Sequence, residues 1–343
     1  MIRSTAILTI GAVLILLLVA CGSDTAVPQA TSAPPKTTAA PAPKTTAAPA
    51  PKATAVPAAK ATPVPAPKAT IAPTPEPGTL VVLTNDSFDI GKEIIAQFEE
   101  SNNASVTIQK AGSSGQVLNR AILEKGNPSG DLLYGVDNTF LSRALREEIF
   151  IQYKSGQIGN IPAQFILDDT FHVSPVDYGY VNINYDIAYL DDKGLTPPAS
   201  LEVLTQPEWD GRLVVENPAT STPGLAFLIA TVSYFGEDDD YDYLDFWADL
   251  KKNNVAVKEG WSEAYYTDFS QYGGDRPLVV SYATSPAAEL FFSEGAYEVP
   301  PTGNVLVDKA TFLQIEGIGI PVSYTHLRAH ETDSYLVCRL LLE

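Results

Sequence analysis

The chain reads as an α/β protein of two lobes joined by crossing strands, and three observations predict that class. From residue 80 onward, short apolar runs alternate with segments of helical spacing, the rhythm of βα units around a largely parallel sheet. A long, alternating, aromatic-rich stretch at 173–185 interrupts that rhythm, which then resumes. A last apolar run at 312–320 has the length to return to the first lobe. Two lobes joined by crossing strands enclose a cleft.

Taken in order, 80–84 is a strand and 85–88 a turn. A helix over 92–100 sets Ile94, Ile95 and Phe98 on one side. Residues 106–109 form a strand, and the turn 112–115 leads into a helix carrying Val117, Leu118, Ala121 and Ile122. Residues 131–136 form a buried strand, with a helix from Phe140. Beyond the crossing stretch, 212–216 is a strand and 221–224 opens a helix running through Tyr234. Another helix covers 243–252, and a strand at 277–282 passes into a helix at Ser285 and Pro286. Lobe one is expected over 79–177 and 311–321, and lobe two over 178–310. In such sheets the polar turns at strand C-termini receive ligands.

The flanks have other compositions. Residues 1–21 read as an export signal: Arg3 precedes an apolar run at 7–19, shorter than the ~20 residues of a membrane span. The run ends in Leu18-Val19-Ala20-Cys21, which resembles the bacterial lipobox, so Cys21 is the expected site of acylation. Residues 22–78 are rich in Ala, Pro, Thr and Lys, with Lys36, Lys44, Lys52, Lys60 and Lys68 evenly spaced. Such a segment buries no apolar surface and serves as a tether, reaching on the order of 150 Å at ~3.1 Å per residue. Its lysines also suit an anionic cell-wall polymer. Residues 322–343 match the in-frame translation of a transposon-type sequencing adapter, with a variable index at Asp333 and Ser334. The natural chain is therefore expected to be truncated near Pro321, and His326, His330 and Cys338 are set aside as metal ligands.

Charge and composition remove several classes. The chain has 41 acids, 22 bases and a formal charge of -19, which opposes nucleic-acid binding through a basic face. Residues 79–321 hold one histidine, His172, and no cysteine. Thiolate catalysis is excluded, and a Ser-His-Asp triad would have to use that histidine. No Gly-x-Ser-x-Gly elbow, Walker loop or dinucleotide fingerprint occurs. The run Glu237-Asp238-Asp239-Asp240 lacks the glycine and distal glutamate of an EF-hand and reads as a solvated turn. No metal or cofactor is expected.

Six segments carry a resemblance. They are Asn85-Asp86-Ser87-Phe88, Gly135-Val136-Asp137-Asn138, Val176-Asp177-Tyr178-Gly179-Tyr180, the stretch 217–225, Gly260-Trp261-Ser262-Glu263-Ala264-Tyr265 and Ser281-Tyr282-Ala283-Thr284-Ser285-Pro286. In this order they resemble the thiamine-binding lipoproteins and periplasmic proteins of ABC importers, of the type II periplasmic-binding-protein fold. The resemblance implies a monomer that captures thiamine or a thiamine phosphate and delivers it, unchanged, to an ABC permease and its ATPase. It implies a protein lipid-anchored on the outer face of the cytoplasmic membrane. It also implies ligand contacts from Asp86, Ser87, Asp137, Asn138, Asp177, Tyr178, Ser221, Thr222, Trp261, Tyr282 and Ser285. Two positions depart from the family: Asn85 and Ala288 stand where some members carry aromatics, so the aromatic enclosure is partly rebuilt.

The residue chemistry suits that ligand. Thiamine is a flat cation, which favours aromatic faces such as Trp261, Tyr282 and Tyr178 and nearby carboxylates such as Asp86, Asp137 and Asp177. The same aromatics can pack in a core, and a turn aspartate can simply cap the next helix. The helix start at 221–224 can take an anionic or polar arm, or be capped and nothing more. Two rival functions remain open. Tyr265-Tyr266 resembles the tyrosine pair of ferric-ion binders of the same fold class, and paired carboxylates also serve exported glycan hydrolases. A purely structural surface lipoprotein has no need of a cleft.

Overall fold

The computed structural model describes residues 77–238 and 240–323. The export signal with Cys21, nearly all of the tether, His326, His330 and Cys338 lie outside the described residues. The strands are β1 (Gly78–Thr84), β2 (Ala104–Lys110), β3 (Leu132–Asp137), β4 (Phe150–Ile151), β5 (Val173–Asp186), β6 (Leu213–Glu216), β7 (Ala256–Lys258), β8 (Leu278–Tyr282), β9 (Thr302–Val305) and β10 (Phe312–Pro321). The helices are α1 (Lys92–Asn102), α2 (Ser114–Leu123), α3 (Leu141–Arg146), α4 (Ile187–Lys193), α5 (Thr222–Phe235), α6 (Tyr243–Lys252), α7 (Trp261–Glu263) and α8 (Ser285–Phe292).

The strands follow one hydrogen-bonded path, β2-β1-β3-β10-β5-β8-β6-β7, with β4 on β10 and β9 on β5. β1 pairs in parallel with β2 and β3, and β6 pairs in parallel with β7 and β8. The centre differs from the largely parallel sheet predicted by the sequence. There β10 runs antiparallel to β3 and β5, and β5 runs antiparallel to β8 and β9. The reason is connectivity: β5 leaves the first lobe and β10 returns to it, so the two crossing strands run in opposite directions. Each hydrogen-bonds on both sides, so the path continues from lobe to lobe.

Burial separates where the hydrogen bonding does not. Leu83, Val117, Leu118, Leu133, Val136 and Phe150 form one core, while Leu80, Val82, Phe98, Leu132 and Tyr134 form another on the opposite face of β1 and β3. Alternation along β1, and along β3 as far as Tyr134, produces this two-faced packing; Gly135, the extra residue opposite β10, puts Val136 on the face of Leu133. The largest core gathers Val181, Trp209, Val215, Phe227, Phe246 and Val280 around β6 and β8, and Val214, Tyr265, Phe269 and Val279 cover the other face. The fold is the two-lobed type II solute-binding architecture.

Helix starts are written locally. α2 opens on a capping box of Ser113 and Gln116, and α6 opens on one of Asp242 and Asp245. α5 has Pro223 in its first turn, where the missing N–H costs nothing. Glu237, Asp238 and Asp240 are exposed, as a solvated turn requires. Both ends of the folded body run slightly past their predicted limits. β1 starts at Gly78, and Val322 still pairs, its N–H donating to Ile149 and its carbonyl accepting from Gly126.

Candidate functional site

Strand C-termini converge on a cavity of ≈ 200 Å³. One side is built by the turns after β1 and β2. It presents Asn85, Asp86 and Ser87, then Ser113, Ser114 and Gln116 at the start of α2. The two turns are clipped together: Asp86 N–H donates to the Gly112 carbonyl, and Gly112 N–H donates to Asp86 Oδ1, both at 2.9 Å. Asn85 is buried, and its side-chain oxygen accepts from the Ser87 hydroxyl at 3.0 Å.

The facing side comes from β6, β7 and β8. Ser221 and Pro223 lie at the start of α5, residues 259–263 follow β7, and Tyr282 ends β8. Trp261 opens α7 and is half-buried. Its indole N–H donates to Ser281 Oγ at 2.8 Å, and Ser281 Oγ is 3.0 Å from Ser285 Oγ. The ring stacks on Tyr265 at 4.7 Å and stands 5.9 Å from Tyr282. Behind it, the Tyr265 hydroxyl donates to Glu289 at 2.7 Å. Burial and Glu289 together hold that phenol far above its usual range, so it stays protonated. Asp86, Glu259 and Glu263 line the cavity, and no lysine or arginine does.

The two sides touch. Thr220 O accepts from Ser113 Oγ at 2.6 Å and from Gly115 N–H at 2.9 Å. A Cβ on Gly115 would stand 2.8 Å from that carbonyl, so the approach needs glycine. The Thr220 hydroxyl donates to Glu259 O at 2.6 Å.

Of the eleven residues the sequence singled out, the structure brings Asp86, Ser87, Ser221, Trp261 and Tyr282 to this cavity. The other six have other surroundings. Asp137 is 1% exposed, and it accepts from Thr139 N–H at 2.7 Å and Thr139 Oγ1 at 2.5 Å on one oxygen and from Thr222 Oγ1 on the other. Asp137 at the end of β3 and Thr222 at the start of α5 thus bind each other. Asn138 clamps β10, donating to Leu313 O and accepting from Ile315 N–H. Asp177 accepts from Tyr134. Tyr178 is exposed and stacks on Phe165 at 4.3 Å. Ser285 is buried beneath Trp261, reaching it through Ser281.

Sequence reasoning missed Asn85, Ser113, Ser114, Gln116, Glu259 and Glu263. The signal for the serines was present. They follow a strand and open a helix, just as Ser221 does, and the strand-end rule applies to both.

Fold and cavity define a class, the two-lobed solute-binding proteins. A family described as "Bacterial extracellular solute-binding protein" matches residues 127–291. The thiamine-binding periplasmic protein of Escherichia coli (strain K12) is 34% identical over 236 residues, 64% of this chain and 67% of that relative. A solved periplasmic thiamin binding protein superposes with a TM-score of 0.63 at 26% identity, covering 78% of this chain and 77% of that one. Iron uptake protein A2 of Synechocystis sp. (strain PCC 6803) is 24% identical over 218 residues, 61% of this chain and 60% of that one. The chain belongs to the family of thiamine-binding periplasmic proteins.

Proposed function

We propose that this protein is an exported receptor that captures thiamine, or a phosphate ester of it, and delivers it unchanged to an ABC permease and its ATPase. The observation that carries the reading is the cavity. Trp261 and Tyr282 offer aromatic faces to a flat cation, and Asp86, Glu259 and Glu263 supply negative charge without a basic side chain. Ser87, at the same turn, and Ser221, at the start of α5, supply polar contacts; the latter suits a hydroxyl or phosphate arm. Asp137, Thr222 and Ser285 act behind the contact surface, fixing what touches the ligand. Lobe one comprises 79–177 and 311–321, and lobe two 178–310. Acylated Cys21 anchors a monomer to the outer face of the cytoplasmic membrane, with 22–78 as its tether. No helix among the described residues is long and apolar enough to cross a membrane.

Geometry disfavours the ferric reading. Tyr265 is 2% exposed and bonded to Glu289, whereas its neighbour Tyr266 is 53% exposed. Their rings meet edge to face at 5.4 Å, but neither lines the cavity, and Tyr265, bonded to Glu289, stays protonated and offers no phenolate. Calorimetric titration of the full chain with thiamine, thiamine monophosphate and ferric citrate tests the reading. Heat from a thiamine compound alone is expected; heat from iron alone, with visible colour, overturns it.

A further inference from the structure

Three carboxyl groups stand side by side across the crossing strands. The register places Glu316 of β10 opposite Asp137 of β3 on one side and opposite Asp177 of β5 on the other. Like charges in directly opposite positions repel. Among the described residues, no lysine, arginine or histidine forms an ion pair with any of the three. Tyr134 of β3 lies among them, with its phenol oxygen 2.5 Å from Asp177 Oδ2 and 2.8 Å from Glu316 Oε2. Both separations are those of O–H···O hydrogen bonds. A phenol has one hydrogen to give, and an ionised carboxylate can only accept. The second bond therefore needs a hydrogen from a carboxyl.

Glu316 is the natural carrier. Burial, then Asp177 and Asp137, push it up to about 8, while burial raises both aspartates. The groups facing it are Tyr134 and Asp137 from β3, Asp177 from β5, Tyr282 from β8 and Gln314 from its own strand. Tyr282 is held high by burial and by Glu316, Asp137 and Glu216 of β6. Asp168 borders the same small void as Asp137 and Glu316 and lies 3.8 Å from its own partner, His172.

The ladder adjoins the cavity. Tyr282 and Asn85 line the cavity. Asn85 and Glu316 also close on Gly135, standing 3.0 and 4.0 Å from where a Cβ would lie. A positive charge in the cavity favours the ionised form of nearby carboxyls.

We propose that Glu316 and Asp177 hold one proton in common through Tyr134, with Asp137 beside them as a further negative neighbour, and that a cation entering the cavity expels that proton to solvent. The second half rests on the thiamine reading and the first does not, so two measurements on the full chain separate them. The first is thermal melting without ligand. A carboxyl raised from 4.5 to about 8 in the fold gives stability that is complete below the lower value and lost as pH rises to the upper one. The melting temperature of the wild type should fall between about pH 5 and 8. Glu316→Gln, which copies the neutral acid and cannot ionise, should flatten that fall. His172 is present in both proteins, so their difference isolates Glu316. Equal slopes overturn the shared proton. So does a Glu316→Gln chain that fails to fold at neutral pH, because an amide should replace a neutral acid.

The second measurement is thiamine titration in buffers of different ionisation heat. The wild type should release up to about one proton per ligand, and Glu316→Gln none. Binding without release, or equal release from both proteins, overturns the linkage. Absence of thiamine binding in both overturns the thiamine reading and the linkage, while the melting curves still decide the shared proton.

Discussion

The two sides of the cavity are made of different materials. After β1 and β2 the lining is polar: Asp86 and Ser87 are exposed, and their turn is held by backbone bonds to Gly112. After β7 and β8 it is aromatic, and Trp261 is fixed by Ser281 from the side and Tyr265 from behind. An indole gripped on two sides is oriented before a ligand arrives, so little entropy is lost on binding. The polar side is set by chain geometry, and its side chains meet solvent. One side supplies an open polar surface with Asp86, and the other supplies a shaped aromatic face flanked by Glu259 and Glu263.

Cutting the tie between the sides should have the largest effect. Asp137→Ala removes the acceptor of three hydrogen bonds and strands the Thr222 hydroxyl in a buried site. We expect a loss of about 2–4 kcal/mol in stability, read by urea unfolding; a change within error would mean the lobes do not depend on that tie. Trp261→Ala should come next, weakening thiamine binding at least tenfold, ~1.4 kcal/mol, in a chain that still melts cooperatively. Unchanged affinity would remove Trp261 from the site, and a collapsed melt would make it core. Ser281→Ala leaves the ring but frees its N–H. A loss of about 0.5–1.5 kcal/mol in affinity, with Trp261 fluorescence shifted, would separate orientation from mere presence. Asp86→Asn should matter least and should depend on salt. An exposed charge contributes ~0–1 kcal/mol and is screened, so the deficit should shrink in high salt; a salt-independent loss would assign Asp86 a direct hydrogen bond instead.

The difference between the sides also explains what could be read ahead of the structure. Trp261 and Tyr282 stood in family motifs, and the apolar run at 277–282 located the strand that ends at Tyr282. Asp137, Asp177 and Ser285 stood in equally good motifs, yet the fold turned them toward Thr222, Tyr134 and Ser281. A residue type and a strand end do not say which way a side chain points. Strand alternation sends successive residues to opposite faces, and β3 and β5 each carry an extra residue opposite β10, Gly135 and Val176, which shifts the register where three carboxyls meet.

The sequence alone determined β1, β2, β3, β6 and β8, the helices α1, α2, α3, α5, α6 and α8 with starts near Ser113, Ser221 and Tyr243, and the two crossing strands. These follow from local periodicity and capping chemistry, which act within a few residues. Only the tertiary structure decided that Asn85, Ser113 and Glu259 join Trp261, that the Tyr265 hydroxyl meets Glu289, and that Glu316 faces two aspartates. Those are long-range contacts, set by how strands distant in the chain come into register, and no local stretch of sequence encodes them.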